Sequence, residues 1–113
     1  MIKRLRAFLA HKAPKTFRRR KYSGIQTVER ISEIPKDTKS VIYIVERSGI
    51  NQWAVLDCPC CTGHRITVTL RKDDDPHWSA ETSHHCVTLY PSLWFHEDCK
   101  SHFLIKNNRV IWI

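Results

Sequence analysis

Two clusters of metal-binding residue types, far apart in the sequence, constrain the fold of this chain more than any other feature. The first is segment 58–64 (Cys-Pro-Cys-Cys-Thr-Gly-His), and the second is segment 99–102 (Cys-Lys-Ser-His). Thiolates and imidazoles are the ligands that Zn²⁺ prefers, and a structural zinc site binds four of them in a tetrahedron. Ligands from both segments would hold two distant parts of the chain together. We expect a closed structural zinc site with ligands drawn from Cys58, Cys60, Cys61, Cys99 and His102.

A disulfide framework is the alternative use of these cysteines. The sequence predicts no signal peptide, because the apolar stretch Ala7-Phe8-Leu9-Ala10 is too short for one. It also contains no apolar run near the length of about 18 residues that a membrane span needs. A cytoplasmic chain uses its cysteines for metal binding or catalysis before disulfides. We therefore expect a cytoplasmic, zinc-binding protein, with the fifth cysteine, Cys86, a small buried residue of a strand.

The basic character of the chain is concentrated at its N-terminus. Residues 1–21 contain nine of the 19 Lys and Arg residues and no acidic residue, whereas the rest of the chain is close to neutral. Apolar residues at helical spacing predict a short amphipathic helix that ends at Pro14. The run Arg18-Arg19-Arg20-Lys21 is short and lacks interleaved aromatic residues, so nucleic acid is not the expected partner. An anionic protein surface, or no specific partner, fits this arm better.

Beyond the arm, the pattern predicts a β-rich domain over residues 24–113, preceded by the basic arm at residues 1–23. The continuous apolar run at 41–45 predicts a central buried strand. Segment 65–70 alternates, so Ile66, Val68 and Leu70 should face the core. Segment 86–90 predicts a strand that ends at Pro91, and Asn107-Asn108 predicts the turn of a terminal hairpin. The expected fold is mainly β, α+β at most: a small antiparallel domain clamped by the zinc loop.

Several short motifs, taken as a set, resemble one family. They are Cys-Pro-Cys at 58–60, Gly-His-Arg at 63–65, His-Trp-Ser at 77–79, Thr-Leu-x-Pro-Ser-x-Trp at 88–94, Cys-x-Ser-His-Phe at 99–103 and Val-Ile-Trp at 110–112. The family consists of small bacterial proteins of unassigned function, encoded beside ubiquitin-activating and ubiquitin-conjugating enzyme homologues and ubiquitin-like proteins, often in phage-defence regions. Its members tend to have Cys-Pro-Cys-Gly-Cys-Gly where this chain has its third cysteine at Cys61. The fourth zinc ligand is therefore either Cys61 or His102.

The resemblance implies a role in ubiquitin-like conjugation, in which a peptidase trims the modifier or reverses its attachment. The expected partner is a ubiquitin-like protein, with its activating or conjugating enzyme as a further candidate. A closed zinc site has no open position for water, so a side chain must supply the nucleophile. Ser92, after Pro91, is the candidate, with His102 as its base if His102 does not bind zinc. Glu97 or Asp98 would orient that base.

Three alternatives remain open on the sequence. Ser92 fits a turn in which its hydroxyl bonds its own backbone. A different nucleophile and base would come from Cys61 or Cys86 with His64, His84 or His85, or from Ser101 with His77 or His96. A non-catalytic zinc-binding module would recognise a ubiquitin-like protein or a conjugation enzyme. If the chain is a peptidase, we expect the strand edge at residues 87–89 to pair with the substrate tail and Trp94 to pack against it.

Overall fold

Two four-stranded β-sheets make up the fold. A computed structural model describes residues 20–60, 64–94 and 100–113. The first sheet contains, in spatial order, β1 (Gly24–Val28), β2 (Val41–Arg47), β3 (Ile50–Asp57) and β4 (Arg65–Thr69). The second contains β5 (Ser79–Ser83), β6 (Cys86–Trp94), β7 (His102–Lys106) and β8 (Arg109–Trp112). One 3-10 turn, Ile31–Glu33, is the only helical element among the described residues, so the predicted mainly β fold is confirmed.

Hairpins connect most neighbouring strands, and only the β1–β2 pair is parallel. Three of the hairpin turns have positive φ at both central residues: Ser48-Gly49, His84-His85 and Asn107-Asn108. Turns with two such residues match the right-handed twist of the strands that they join. The terminal hairpin predicted from Asn107-Asn108 is confirmed, and the exposed pair His84-His85 forms the β5–β6 turn.

One hydrophobic core joins the inner faces of the two sheets. Ile66, Val68 and Leu70 face it as predicted, and Leu93 and Phe103 contribute from the second sheet. The opposite face of the first sheet carries a smaller cluster: Val28, Ile34, Tyr43, Val45 and Val55. Strand β2 is therefore buried on both faces, which accounts for its continuous apolar sequence. The outer face of the second sheet is the side that faces away from the main core.

Two predictions about β6 are wrong. The strand does not end at Pro91 but continues to Trp94, with a shift of its register against β7 between Leu89 and Leu93. Proline is tolerated at such an irregularity because no ladder hydrogen bond is required there. The predicted pairing edge at residues 87–89 is also unavailable, since β6 lies between β5 and β7.

The residues just before β1 pack against the terminal hairpin. Tyr22 is only 2% exposed, its backbone N–H donates to Asn108 at 2.8 Å, and its hydroxyl donates to the carbonyl of Asp57. Lys21 forms a β-bridge with Arg109. The amphipathic helix predicted before Pro14 lies outside the described residues. No helix in the described part of the chain is long and apolar enough to cross a membrane.

Replacing Asn108 by Ala should lower the free energy of unfolding by about 2–4 kcal/mol. Asn108 is buried, its Oδ1 accepts a hydrogen bond from the buried N–H of Val87 at 2.8 Å, and its Nδ2 donates to His85 at 3.2 Å. Urea unfolding measures the change. The exposed neighbour Asn107 also has positive φ, so Asn107→Ala is the matched control. Equal losses for the two variants would contradict a specific role for the Asn108 amide.

Candidate active site and metal-binding cluster

A serine and a histidine meet on the outer face of the second sheet. The Oγ atom of Ser92, on β6, lies 3.0 Å from Nε2 of His102, the first residue of β7. The neighbours Leu93 and Phe103 are fully buried in the core. Since side chains alternate along a strand, Ser92 and His102 point away from that core. The two groups are within hydrogen-bond distance, which is the arrangement of a nucleophile and its general base.

His102 is held through both its imidazole and its backbone. Trp94 lies directly opposite on β6, and the two rings stack with centroids 4.6 Å apart and planes within 8° of parallel. The backbone N–H of Ile113 donates to the carbonyl of His102 at 3.0 Å. Trp94 is 58% exposed, so it covers His102 from the solvent side instead of filling the core. The stack constrains the plane of the imidazole, and the contact with Ser92 Oγ locates Nε2 within that plane.

Trp78 anchors the backbone of the serine. Its indole Nε1 donates to the carbonyl of Ser92 at 3.3 Å, and its own N–H donates to Thr69 at 2.8 Å. The ring is half-buried and packs against the main core. This contact falls between Leu89 and Leu93, where the register of β6 against β7 shifts. Trp78 therefore ties an irregular part of the strand to the loop that follows β4.

A second cluster combines Cys58, Cys60 and His64, whose ligand atoms all lie within 4.8 Å of one another. The N–H of Cys58 donates to the carbonyl of His64 at 2.6 Å, which closes the loop between β3 and β4. Two thiols and an imidazole are a donor set that suits Zn²⁺. These residues could therefore hold a metal ion. Cys61 and Cys99 lie outside the described residues, and their predicted roles as ligands stay predictions.

The neighbouring residues Ser101 and His102 face opposite sides of the second sheet. Ser101 is buried, with its Oγ 3.9 Å from Sγ of Cys58, whereas the next residue, His102, faces Ser92. Within the described residues, the metal-type cluster contains His64 and not His102. The sequence predicts His64 as a polar residue at the rim of the metal loop or as an alternative base, and not as a ligand. The signal for a ligand was its position four residues after Cys60, at the end of the same tight loop.

The remaining candidates fall into two groups. Cys86 is half-buried at the start of β6, at the opposite end of that strand from Ser92, and His84 and His85 are exposed in the preceding turn. His77 contacts the carbonyl of Asp74 through Nδ1 at 3.0 Å. Outside the described residues lie the proposed orienting carboxylates Glu97 and Asp98, together with His96.

Comparison with known families supports the resemblance found in the short motifs. The family model "Bacterial ubiquitination-like system serine protease (BubE)" matches residues 27–113. The matched range contains Ser92, His102 and the Cys58–Cys60–His64 cluster. No curated protein and no solved structure matches the chain.

Proposed function

We propose that this chain, which belongs to the BubE family of bacterial ubiquitination-like system serine proteases, cleaves the C-terminal tail of a ubiquitin-like protein with Ser92 as nucleophile. The observation that carries the proposal is the 3.0 Å separation between Ser92 Oγ and His102 Nε2. Acyl transfer by serine requires a base within hydrogen-bond reach of the hydroxyl, and this pair meets that requirement.

The proposed reaction has two halves. Ser92 Oγ attacks the carbonyl carbon of the scissile bond while Nε2 of His102 takes the hydroxyl proton. His102 returns that proton to the leaving group, which departs and leaves the acyl group on Ser92. Water then attacks the acyl-enzyme, with His102 again accepting and returning the proton. His102 must keep Nε2 directed at Ser92 throughout, and the stack on Trp94 supports that orientation. A carboxylate from Glu97 or Asp98 would complete the triad.

The proposed zinc ion is structural. Cys58, Cys60 and His64 would bind it, with Cys61 or Cys99 as the fourth ligand. A zinc ion in such a site would leave no open position for a reacting water, and with Cys99 as the fourth ligand it would also cross-link two distant chain segments. Because Ser101 touches Cys58 and precedes His102, the cross-link would fix the start of β7 beside the catalytic pair.

The proposed partner is a bacterial ubiquitin-like protein, and its activating or conjugating enzyme is a further candidate. The family description supplies the pathway, and the serine–histidine pair supplies the chemistry. A protein that acts in such a pathway would work in the cytoplasm, where conjugation enzymes act.

A fluorophosphonate probe tests the nucleophile directly. We expect one adduct per chain, located on Ser92 by peptide mapping, and we expect the same protein to shorten a ubiquitin-like precursor, followed by mass spectrometry. Ser83→Ala, an exposed serine on β5 of the same sheet, is the control and should label normally. Cleavage of the precursor by a protein that the probe does not label would contradict the serine mechanism.

A further inference from the structure

The outer face of β7 and β8 presents three rows of paired side chains that begin at the catalytic histidine. We call this surface the β7–β8 face. Strand register pairs Leu104 with Ile111 and Lys106 with Arg109, and the hydrogen bond from Ile113 to His102 completes the first row. Phe103 and Ile105, between these positions, are fully buried, so the alternate residues of β7 point outward. In order from the active site, the rows are His102–Ile113, Leu104–Ile111 and Lys106–Arg109.

The part of this face nearest Ser92 is apolar and accessible. Ile113 is 70% exposed and Ile111 is 44% exposed, and Trp94 lies on the other side of His102. Exposed apolar side chains that adjoin one another, in contrast to scattered ones, mark interaction surfaces. Trp94 stacks on His102 and Ile113 is bonded to the His102 backbone, so an acyl group that lies over β7 and β8 beside Ser92 would contact these side chains.

The far end of the face is a row of cations. Lys21 forms a β-bridge with Arg109, so it adds a third cation to the Lys106–Arg109 pair on the same face. All three are exposed, and none forms an ion pair with a described residue. Like charges directly opposite each other on neighbouring strands are destabilising unless an anion neutralises them. Among the described residues, Glu81 lies on β5 of the same sheet, and β6 separates it from Lys106.

The spacing of the rows matches an extended peptide. Alternate residues of a strand are about 6.6–6.8 Å apart, so the basic row lies about 13 Å from His102. A peptide lying along the face would place its alternate side chains on successive rows. The acyl part of the substrate stays attached to Ser92 after the leaving group departs, so it is the part that the enzyme must hold for longest.

We propose that the β7–β8 face binds the acyl side of the substrate as an extended segment with a defined pattern. The scissile residue and the second residue before it are apolar, and the fourth residue before it is acidic and contacts Lys106, Arg109 and Lys21. This inference rests on the proposed function, because Ser92 fixes where the scissile bond lies. It adds a specificity that the catalytic pair alone does not determine.

Short peptides that differ only at the fourth residue before the scissile one, Glu or Lys, test the charge. We expect wild-type protein to prefer the Glu peptide by about tenfold in kcat/KM, mainly through KM, because the exposed ion pairs act on binding. The double variant K106E/R109E should reverse the preference. The matched control is the double variant K36E/R47E, which makes the same charge change at two exposed residues of the first half of the chain. It should keep the wild-type preference.

Equilibrium binding separates this inference from the proposed function. Fluorescence anisotropy with Ser92→Ala protein measures the affinity for both peptides without any cleavage. Tighter binding of the Glu peptide, lost in the K106E/R109E background, supports the inference whether or not the chain is a peptidase. If the two peptides bind equally, or if K36E/R47E changes the preference as much, the inference is wrong. Fluorophosphonate labelling of Ser92 in wild-type and K106E/R109E protein, both of which retain the serine, reports on the proposed function independently.

Discussion

Replacing Ser92 by Ala, His102 by Ala, or both together should lower kcat/KM by nearly the same factor, about 10³-fold or more. The two residues act as a unit, since the serine is a poor nucleophile without the base and the base has no proton to accept without the serine. The measurement is cleavage of a ubiquitin-like precursor by each single variant and by the double variant. Losses that multiply in the double variant would show that the two side chains act independently.

Folding should be retained in these variants. Ser92 and His102 lie on the outer face and are half-buried, so their truncation leaves the main core intact. Melting temperatures close to that of the wild-type protein would confirm that the activity is lost through the chemistry and not through unfolding.

Trp94→Phe preserves an aromatic ring against His102 and should retain more activity than Trp94→Ala, which removes the stack.

Sequence pattern predicted the elements whose burial is periodic. The continuous run in β2 and the alternation in β4 predicted strands because each reflects how many faces are buried. Strand β5 was not predicted: its sequence, Ser-Ala-Glu-Thr-Ser, is almost wholly exposed, so it carries no apolar pattern. All five residues of β5 pair with β6, and this pairing cannot be predicted from apolar residues in the strand itself. The parallel β1–β2 pair likewise depends on a tertiary contact.

The site was partly accessible to sequence reasoning. Ser92 and His102 were chosen because a resemblance supplied the pathway, and the fold places them within 3.0 Å of each other. The continuation of β6 past Pro91 was missed because proline usually ends a strand, and a register shift accommodates it here. Sequence spacing alone grouped His102 with Cys99. It could not show that Ser101 turns inward to Cys58 while His102 turns outward.

Cys58→Ser should destabilise the domain strongly, by about 4 kcal/mol or more if zinc is bound, because metal-binding free energy contributes directly to folding. Cys58 is 1% exposed and belongs to both the main core and the metal-type cluster, so the variant loses a ligand and places a hydroxyl in an apolar site. Urea unfolding with and without a chelator measures the loss. Chelation should lower the stability of wild-type protein and leave Cys58→Ser unchanged.

The two histidines then separate the structural role from the chemical one. His64→Ala should release zinc and lower the melting temperature, because His64 shares a cluster with Cys58 and Cys60. His102→Ala should keep zinc and stability but lose cleavage, because its Nε2 faces Ser92. Elemental analysis of protein purified without a histidine tag provides the measurement. The opposite result, with zinc lost from His102→Ala and retained by His64→Ala, would make His102 a ligand and leave Ser92 without its base.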